Sequence, residues 1–290
     1  MATERVQLHG GRTLCVERFG SVEGEQVLYF HGLPGSRLDF VWADALFRDA
    51  GLAVVAVDRP GFGGSSFVRG RALLDWPDDV DALADRLGLE RFAVLGYSSG
   101  GKYAIACASS LPERVTLAGV VAGTGPPEIP GFRAGLGGID RISLTLAQRA
   151  RPLALALWGV VRRMALGRPD RFVAQFEKEA GGPDRAVLAD PAIREALLRA
   201  VREGLRPGAE GVVEDYAVEA RPWGAALDEI RVPVRIWHGD SDDVVPLEHS
   251  RFLAARIPTA RLTVMERAGH LLREQLDPIA RELASGGGVS

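Results

Sequence analysis

Lysine and cysteine are nearly missing from this sequence: Lys102 and Lys178 are the two lysines, and Cys15 and Cys107 the two cysteines, among 290 residues. Two thiols in different predicted elements offer no disulfide framework, metal-ligand spacing or redox pair, so both read as buried free thiols. Arginine supplies the remaining positive charge. With 35 Lys and Arg against 38 Asp and Glu, the net charge of −3 leaves no basic stripe to neutralise phosphates, which argues against a nucleic-acid partner. Long apolar runs are absent as well. The longest, "LALALWGVV" (153–161), lies between Arg151 and Arg162 and falls far short of the roughly 20 residues a membrane span needs. The opening "MATERVQLHGG" shows no charged-then-apolar signal pattern, so a cytosolic location is expected. What is present, 47% hydrophobic residues, suffices for the core of one large domain or of one domain carrying an insertion.

Short runs rich in Val, Leu and Ile alternate with helical patterns, the mark of an α/β chain with a mostly parallel sheet covered by helices. Residues 6–20 read as a hairpin turning at Gly10 and Gly11. Strands are predicted in 26–32, 52–61, 91–98, 115–123, 232–240 and 260–267. A helix over 76–89 is marked by Pro77 and acids at its start and Gly88 near its end. After Gly123 a Pro/Gly-rich stretch (124–138) leads into helix-like sequence without a convincing strand. The expected organisation is a core over 1–123 and 230–290 with a helical cap over 124–229.

"VLGYSSGG" holds the G-x-S-x-G pattern as Gly96-Tyr97-Ser98-Ser99-Gly100, after a predicted strand and before a predicted helix. Such a corner turns so sharply that the residues two before and two after the serine meet, and both must be small. Gly96 and Gly100 satisfy this for Ser98, whereas Ser99 would need Tyr97 to be small. Ser98 is therefore the candidate nucleophile. Ser99 would lend its backbone N–H, at the helix's positive end, to an oxyanion hole, and its hydroxyl is expected to be incidental. Lys102, a cation in the helix's first turn, opposes the helix dipole and calls for a partner, a structural ion pair first of all, with a substrate anion as the alternative.

A serine hydroxyl needs a base and a carboxylate to orient that base. His9 reads as a turn residue. His31 and His238 end strands, and His249 falls on a helix. His270, in the loop "ERAGHLLREQL" after the last strand, can reach over the sheet edge. Past the strand at 232–240, "WHGDSDDVVP" offers Asp242 as the acid, with Asp243 and Asp240 as alternatives and Glu128 as a remote fourth. A hydrated acidic turn is the ordinary use of such residues when nothing pairs with them. In "HGLPGSR" (31–37), Gly32 and Gly35 would let backbone approach a ligand, with the Leu33 N–H as second oxyanion donor. "GFGGSS" (61–66) resembles G-x-G-x-x-G but ends in Ser66 and opens no helix, which excludes a dinucleotide site.

The stretches "HGLPGS" (31–36), "DRPGFGGSS" (58–66), "GYSSGG" (96–101), "HGDSDDVVP" (238–246) and "AGH" (268–270) together resemble the α/β-hydrolase superfamily, in its serine-nucleophile, esterase-like branch. The resemblance implies an eight-stranded sheet with the helical insertion after strand six. It also selects Asp242, with Val245 and Pro246 in register, and the order Ser98, Asp242, His270. "HGLPG" departs from the "HGGPG" of proline iminopeptidases, and Ser98 argues against the aspartate-nucleophile epoxide hydrolases and dehalogenases. The expected activity is hydrolysis of an ester, thioester or lactone of a small apolar molecule, with no metal or organic cofactor. C–C bond hydrolysis on the same residues, or a slow-turnover receptor, are the alternatives. A small-molecule substrate is the expected partner, with no nucleic acid or membrane, for a monomer or homodimer. The run 151–167, with Phe132, Phe172, Phe176, Tyr216 and Trp223, either walls the substrate site or packs as the cap's own core, the commoner use.

Overall fold

The computed structural model describes residues 3–286. Strands β1 (Thr3–Gln7) and β2 (Thr13–Gly20) form the expected hairpin, with Gly10 and Gly11 at φ 74° and 75° in its turn. There follow β3 (Glu25–Phe30), β4 (Leu52–Val57), β5 (Phe92–Tyr97), β6 (Val115–Val121), β7 (Val234–Gly239) and β8 (Ala260–Met265). They form one sheet in the order β1-β2-β4-β3-β5-β6-β7-β8. Pairing is antiparallel at β1–β2 and β2–β4 and parallel from there on. A parallel strand covered on both faces reads as continuously apolar, and "LAVVAV" of β4 is buried throughout. Each Leu or Val among them contributes about 1.5–3 kcal/mol on burial.

One face of the sheet is covered by α1 (Asp44–Asp49) and α11 (Leu276–Ala284), through Phe47, Ile279 and Leu283. The other is covered by α2 (Trp76–Leu87), α3 (Gly101–Ser110) and α10 (Leu247–Arg256), through Val80, Ile105 and Leu253. Helix α2 stops at Leu87, where Gly88 takes a left-handed cap at φ 69°. Between β6 and β7 the described residues form no strand. They form α4 (Gly138–Arg149), α5 (Arg151–Gly167), α6 (Pro169–Glu179), α7 (Gly182–Leu188), α8 (Pro191–Leu205) and α9 (Glu210–Glu219). No helix among the described residues is long and apolar enough to cross a membrane.

These inserted helices share a core that contains Phe132, Leu144, Trp158 and Tyr216, with Phe172 packed against it. The cap aromatics therefore serve first as the insertion's own packing. Trp223 departs from the expectation: it joins the core beneath the sheet with Leu227 and Ile230. The Phe176 side chain lies outside the described residues.

The chain leaves β3 toward β4 on one side and returns to β5 on the other. The carboxyl ends of β3 and β5 thus flank the crevice where open α/β sheets place their chemistry. The 31–37 loop and Ser98 both start there.

Candidate active site

Ser98 follows β5 directly with φ 52°. A left-handed serine costs about 1–3 kcal/mol, held in place by its surroundings. The two flanking glycines show why the corner closes. A Cβ on Gly96 would stand 2.3 Å from the Gly100 oxygen, and one on Gly100 would stand 2.1 Å from the Phe30 oxygen. Ser98 is 8% exposed, and its Oγ has no hydrogen-bond partner among the described residues. The backbone N–H groups of Leu33 and Ser99 are likewise without acceptors among the described residues. A Cβ on Gly32 would come within 3.2 Å of the Ser98 Cβ, so the 31–37 loop lies against the corner.

His270 and Asp242 are brought together. His270 Nδ1–H donates to Asp242 Oδ2 at 2.8 Å, while Asp242 Oδ1 accepts the N–H groups of Val244 and Val245 at 2.8 and 2.9 Å. The Asp242 side chain is fully buried; Asp240, Asp243 and Glu128 are exposed. His270 Nε2 has no partner among the described residues. The neighbour of Ser98, Tyr97, packs its ring 5.2 Å from the His270 ring and donates its hydroxyl to the His270 carbonyl at 3.3 Å. Between Ser98 Oγ and His270 the structure contains no hydrogen bond; such contacts are often long before substrate binds.

Burial opposes a charged His270, but the charge and hydrogen bond of Asp242, with Asp184 and Asp140 behind them, outweigh it and raise its pKa. Burial likewise opposes the Asp242 carboxylate, yet His270 and His238 hold its pKa below the usual range. The two have opposite linkage to stability. The His270 contribution is complete below the unfolded value near 6.5 and fades as pH rises through the folded value. The Asp242 contribution is present above the unfolded value near 3.8 and fades on acidification.

The other histidines are struts. His31 donates through Nδ1 to the Gly32 carbonyl at 2.8 Å and accepts the Arg59 N–H at Nε2 at 3.1 Å. Burial, aided by Arg59, pushes its pKa well down, so it braces the 31–37 loop as a neutral ring. His238 is held by Ser250 Oγ at 2.7 Å and the Val245 carbonyl at 2.9 Å. His249 accepts the Gly125 N–H at 3.0 Å and donates to the Phe132 carbonyl at 3.1 Å. His9 is exposed in the hairpin turn. Gly35 has a different role from the one expected: a Cβ there would sit 2.3 Å from Asp39 Oδ1. The room serves the Asp39 carboxylate, which accepts the N–H groups of Gly32 and Ser36 at 3.1 and 3.2 Å and so shapes the loop. Both cysteines are buried, and burial alone pushes the Cys107 thiol well up.

Lys102 is fully buried. Its ammonium donates to the Ser99 carbonyl at 3.1 Å, to Ser99 Oγ, and to Glu219 Oε2 at 3.0 Å, while Ser99 Oγ donates to the same Glu219 oxygen at 3.1 Å. The Ser99 hydroxyl is therefore not incidental: it is one corner of a buried triangle that ties the elbow to α9. The same helix offers Asp215 to Arg59 at 2.6 Å, to Arg71, and to the Tyr103 hydroxyl at 2.6 Å. Removing one partner from a buried pair strands the other's charge. Lys102→Met is accordingly expected to lower stability by about 3–5 kcal/mol, and Lys102→Met/Glu219→Leu to recover most of it. Urea unfolding of both variants checks this; a single variant as stable as the parent would mean the pair contributes nothing.

A mostly parallel sheet in this order, with a serine on a strained strand–helix corner and an acid–imidazole pair on later loops, defines the hydrolase class of open α/β folds. The chain belongs to the alpha/beta hydrolase family, whose sequence model matches residues 27–282. It is 30% identical over 237 residues to a pimeloyl-[acyl-carrier protein] methyl ester esterase of Aromatoleum aromaticum, covering 77% of this chain and 82% of that one. It is 28% identical over 276 residues to a 2-hydroxy-6-oxononadienedioate/2-hydroxy-6-oxononatrienedioate hydrolase of Paraburkholderia phymatum, covering 91% and 87%. An alpha/beta hydrolase fold protein from Nakamurella multipartita superimposes with a TM-score of 0.73 at 25% identity, covering 99% of this chain and 100% of that one. The protein is a hydrolase.

Proposed function

We propose that the protein is a serine esterase acting on a carboxylic ester, thioester or lactone of a small, largely apolar molecule through an acyl-enzyme. The observation that carries this is the His270–Asp242 hydrogen bond of 2.8 Å, which leaves Nε2 free on the side chain packed against the elbow. In this reading Nε2 takes the Ser98 Oγ proton as Oγ attacks the carbonyl carbon. The free N–H groups of Leu33 and Ser99 hold the oxyanion, each contributing about 2.7–4 kcal/mol to the transition state. The intermediate then collapses, His270 protonates the leaving alcohol or thiol, and the same ring activates water to release the acid.

The likeness to the Paraburkholderia hydrolase keeps C–C bond cleavage as a second reading, since its name specifies a substrate with two carboxylates. The charged groups that bear on His270 are Asp242, Asp184 and Asp140. Like charges repel, so this surrounding favours a neutral ester over a dianion. Turnover of p-nitrophenyl esters of rising chain length, run beside a vinylogous diketone acid, separates the two. Ester hydrolysis with a burst of one nitrophenol per protein supports the proposal; cleavage of the diketone acid alone overturns it.

Protonated His270 has no lone pair for the serine proton, so kcat/KM must rise with pH through the His270 pKa. Because that pKa is raised, the acid limb is expected above the ordinary 6.5. A midpoint at or below 6.5 would contradict this.

A further inference from the structure

The loop carrying His270 is held from the cap. Asp184, on α7, accepts the backbone N–H of His270 at Oδ2 and that of Leu271 at Oδ1, both at 2.9 Å. The residue is 4% exposed. Its carboxylate occupies the space beside Gly269, where a Cβ would lie 2.4 Å from Oδ1. The loop needs such a hold, because Arg267 and Leu272 on either side of His270 take φ of 55° and 45°. Two left-handed residues without glycine's freedom persist only where the surroundings fix them. The same cap segment reaches the neighbouring loops. A Cβ on Gly181 would stand 2.0 Å from Asp243 Oδ2, and Asp190 pairs with Arg273 at 3.0 Å.

We infer that Asp184 is a positioning residue: its carboxylate, delivered by the cap, fixes the His270 loop, so that the imidazole takes its working place only when α7 is seated on the core. This rests on the esterase reading for its kinetic consequence but not for its structural one. The ring is hydrogen-bonded by Asp242 from the loop after β7 and packed by Tyr97 of β5, and the charges of Asp184 on α7 and Asp140 on α4 act on it as well. Of these, Asp242 orients the ring itself, whereas Asp184 holds the backbone beneath it. Both negative charges favour the imidazolium.

Asp184→Asn tests the inference, because it keeps the shape but sets an amide NH2 against one of the two N–H donors. Expected are a fall in kcat of about 10–100-fold, the scale of a roughly 1 Å misplacement of a reacting group, a KM changed by less than about threefold, and a His270 ring titration, followed by NMR, shifted to lower pH. A residue that only packs α7 would leave kcat where it was; the lower titration follows from loss of the charge in either case, so kcat and the hydrogen-exchange protection of the His270 and Leu271 amides decide the role. Parent-like kcat together with parent-like protection of those two amides overturns the inference. Gly269→Ala reaches the same contact without removing the carboxylate. It should lower kcat similarly, and unchanged kcat there counts equally against the inference. Should the parent protein hydrolyse no ester, the esterase reading fails alone, and hydrogen exchange of the His270 and Leu271 amides in parent and Asp184→Asn still decides the role of Asp184.

Discussion

Ser98→Ala is expected to lower kcat/KM for an activated ester by a factor on the order of 10⁶, the loss found when a serine nucleophile is removed from a comparable acid–base site. The fold should not suffer. Ser98 Oγ has no hydrogen-bond partner among the described residues, so its removal strands nothing, and alanine inherits the same backbone cost at φ 52°. Ser98→Gly should be equally inactive and somewhat more stable, since glycine adopts that φ without a Cβ penalty. Thermal unfolding of the three proteins beside their ester kinetics checks both halves. An inactive Ser98→Ala protein that had also lost several degrees of Tm would move the explanation from chemistry to folding.

Asp242→Asn should cost on the order of 10⁴ in kcat. An asparagine can still accept the Val244 and Val245 amides, as Asp242 Oδ1 does at 2.8 and 2.9 Å. Its NH2, however, would face His270 Nδ1 and favour the tautomer whose proton sits on Nε2, where no serine proton can be received. Loss of the carboxylate charge also removes the main force that raises the His270 pKa, so the surviving activity should show its acid limb at lower pH. Asp240→Asn and Asp243→Asn, at exposed positions, should stay within a few-fold of the parent. A larger loss at Asp243 than at Asp242 would reassign the acid.

Much of this site is legible from spacing because its constraints are local. The elbow demands small residues at two fixed offsets from one serine, and Gly96 and Gly100 stand where a Cβ would come within 2.3 and 2.1 Å of backbone oxygens. The strands of a parallel sheet are apolar on both faces, which marks their positions in the sequence and hence the loops that follow them. The acids of the cap gave no such signal. "EGVVEDYAVE" carries four acids, yet every residue from Gly211 to Glu219 is buried. Its carboxylates meet Arg59, Arg71, Lys102 and Arg151, which come from distant parts of the chain. Asp184 in "GGPDR" is similarly silent, because its partners are backbone amides 86 and 87 residues further on. Residues whose partners lie across the cap–core boundary become visible only when the chain is folded.

The most direct test is to treat the folded protein with a fluorophosphonate and locate the adduct by peptide mass spectrometry. The expected result is one adduct on Ser98, formed fully in the parent, slowed in Asp242→Asn and absent in Ser98→Ala. An adduct on Ser99 or elsewhere, or ester turnover by protein that takes no label, would contradict Ser98 as the nucleophile.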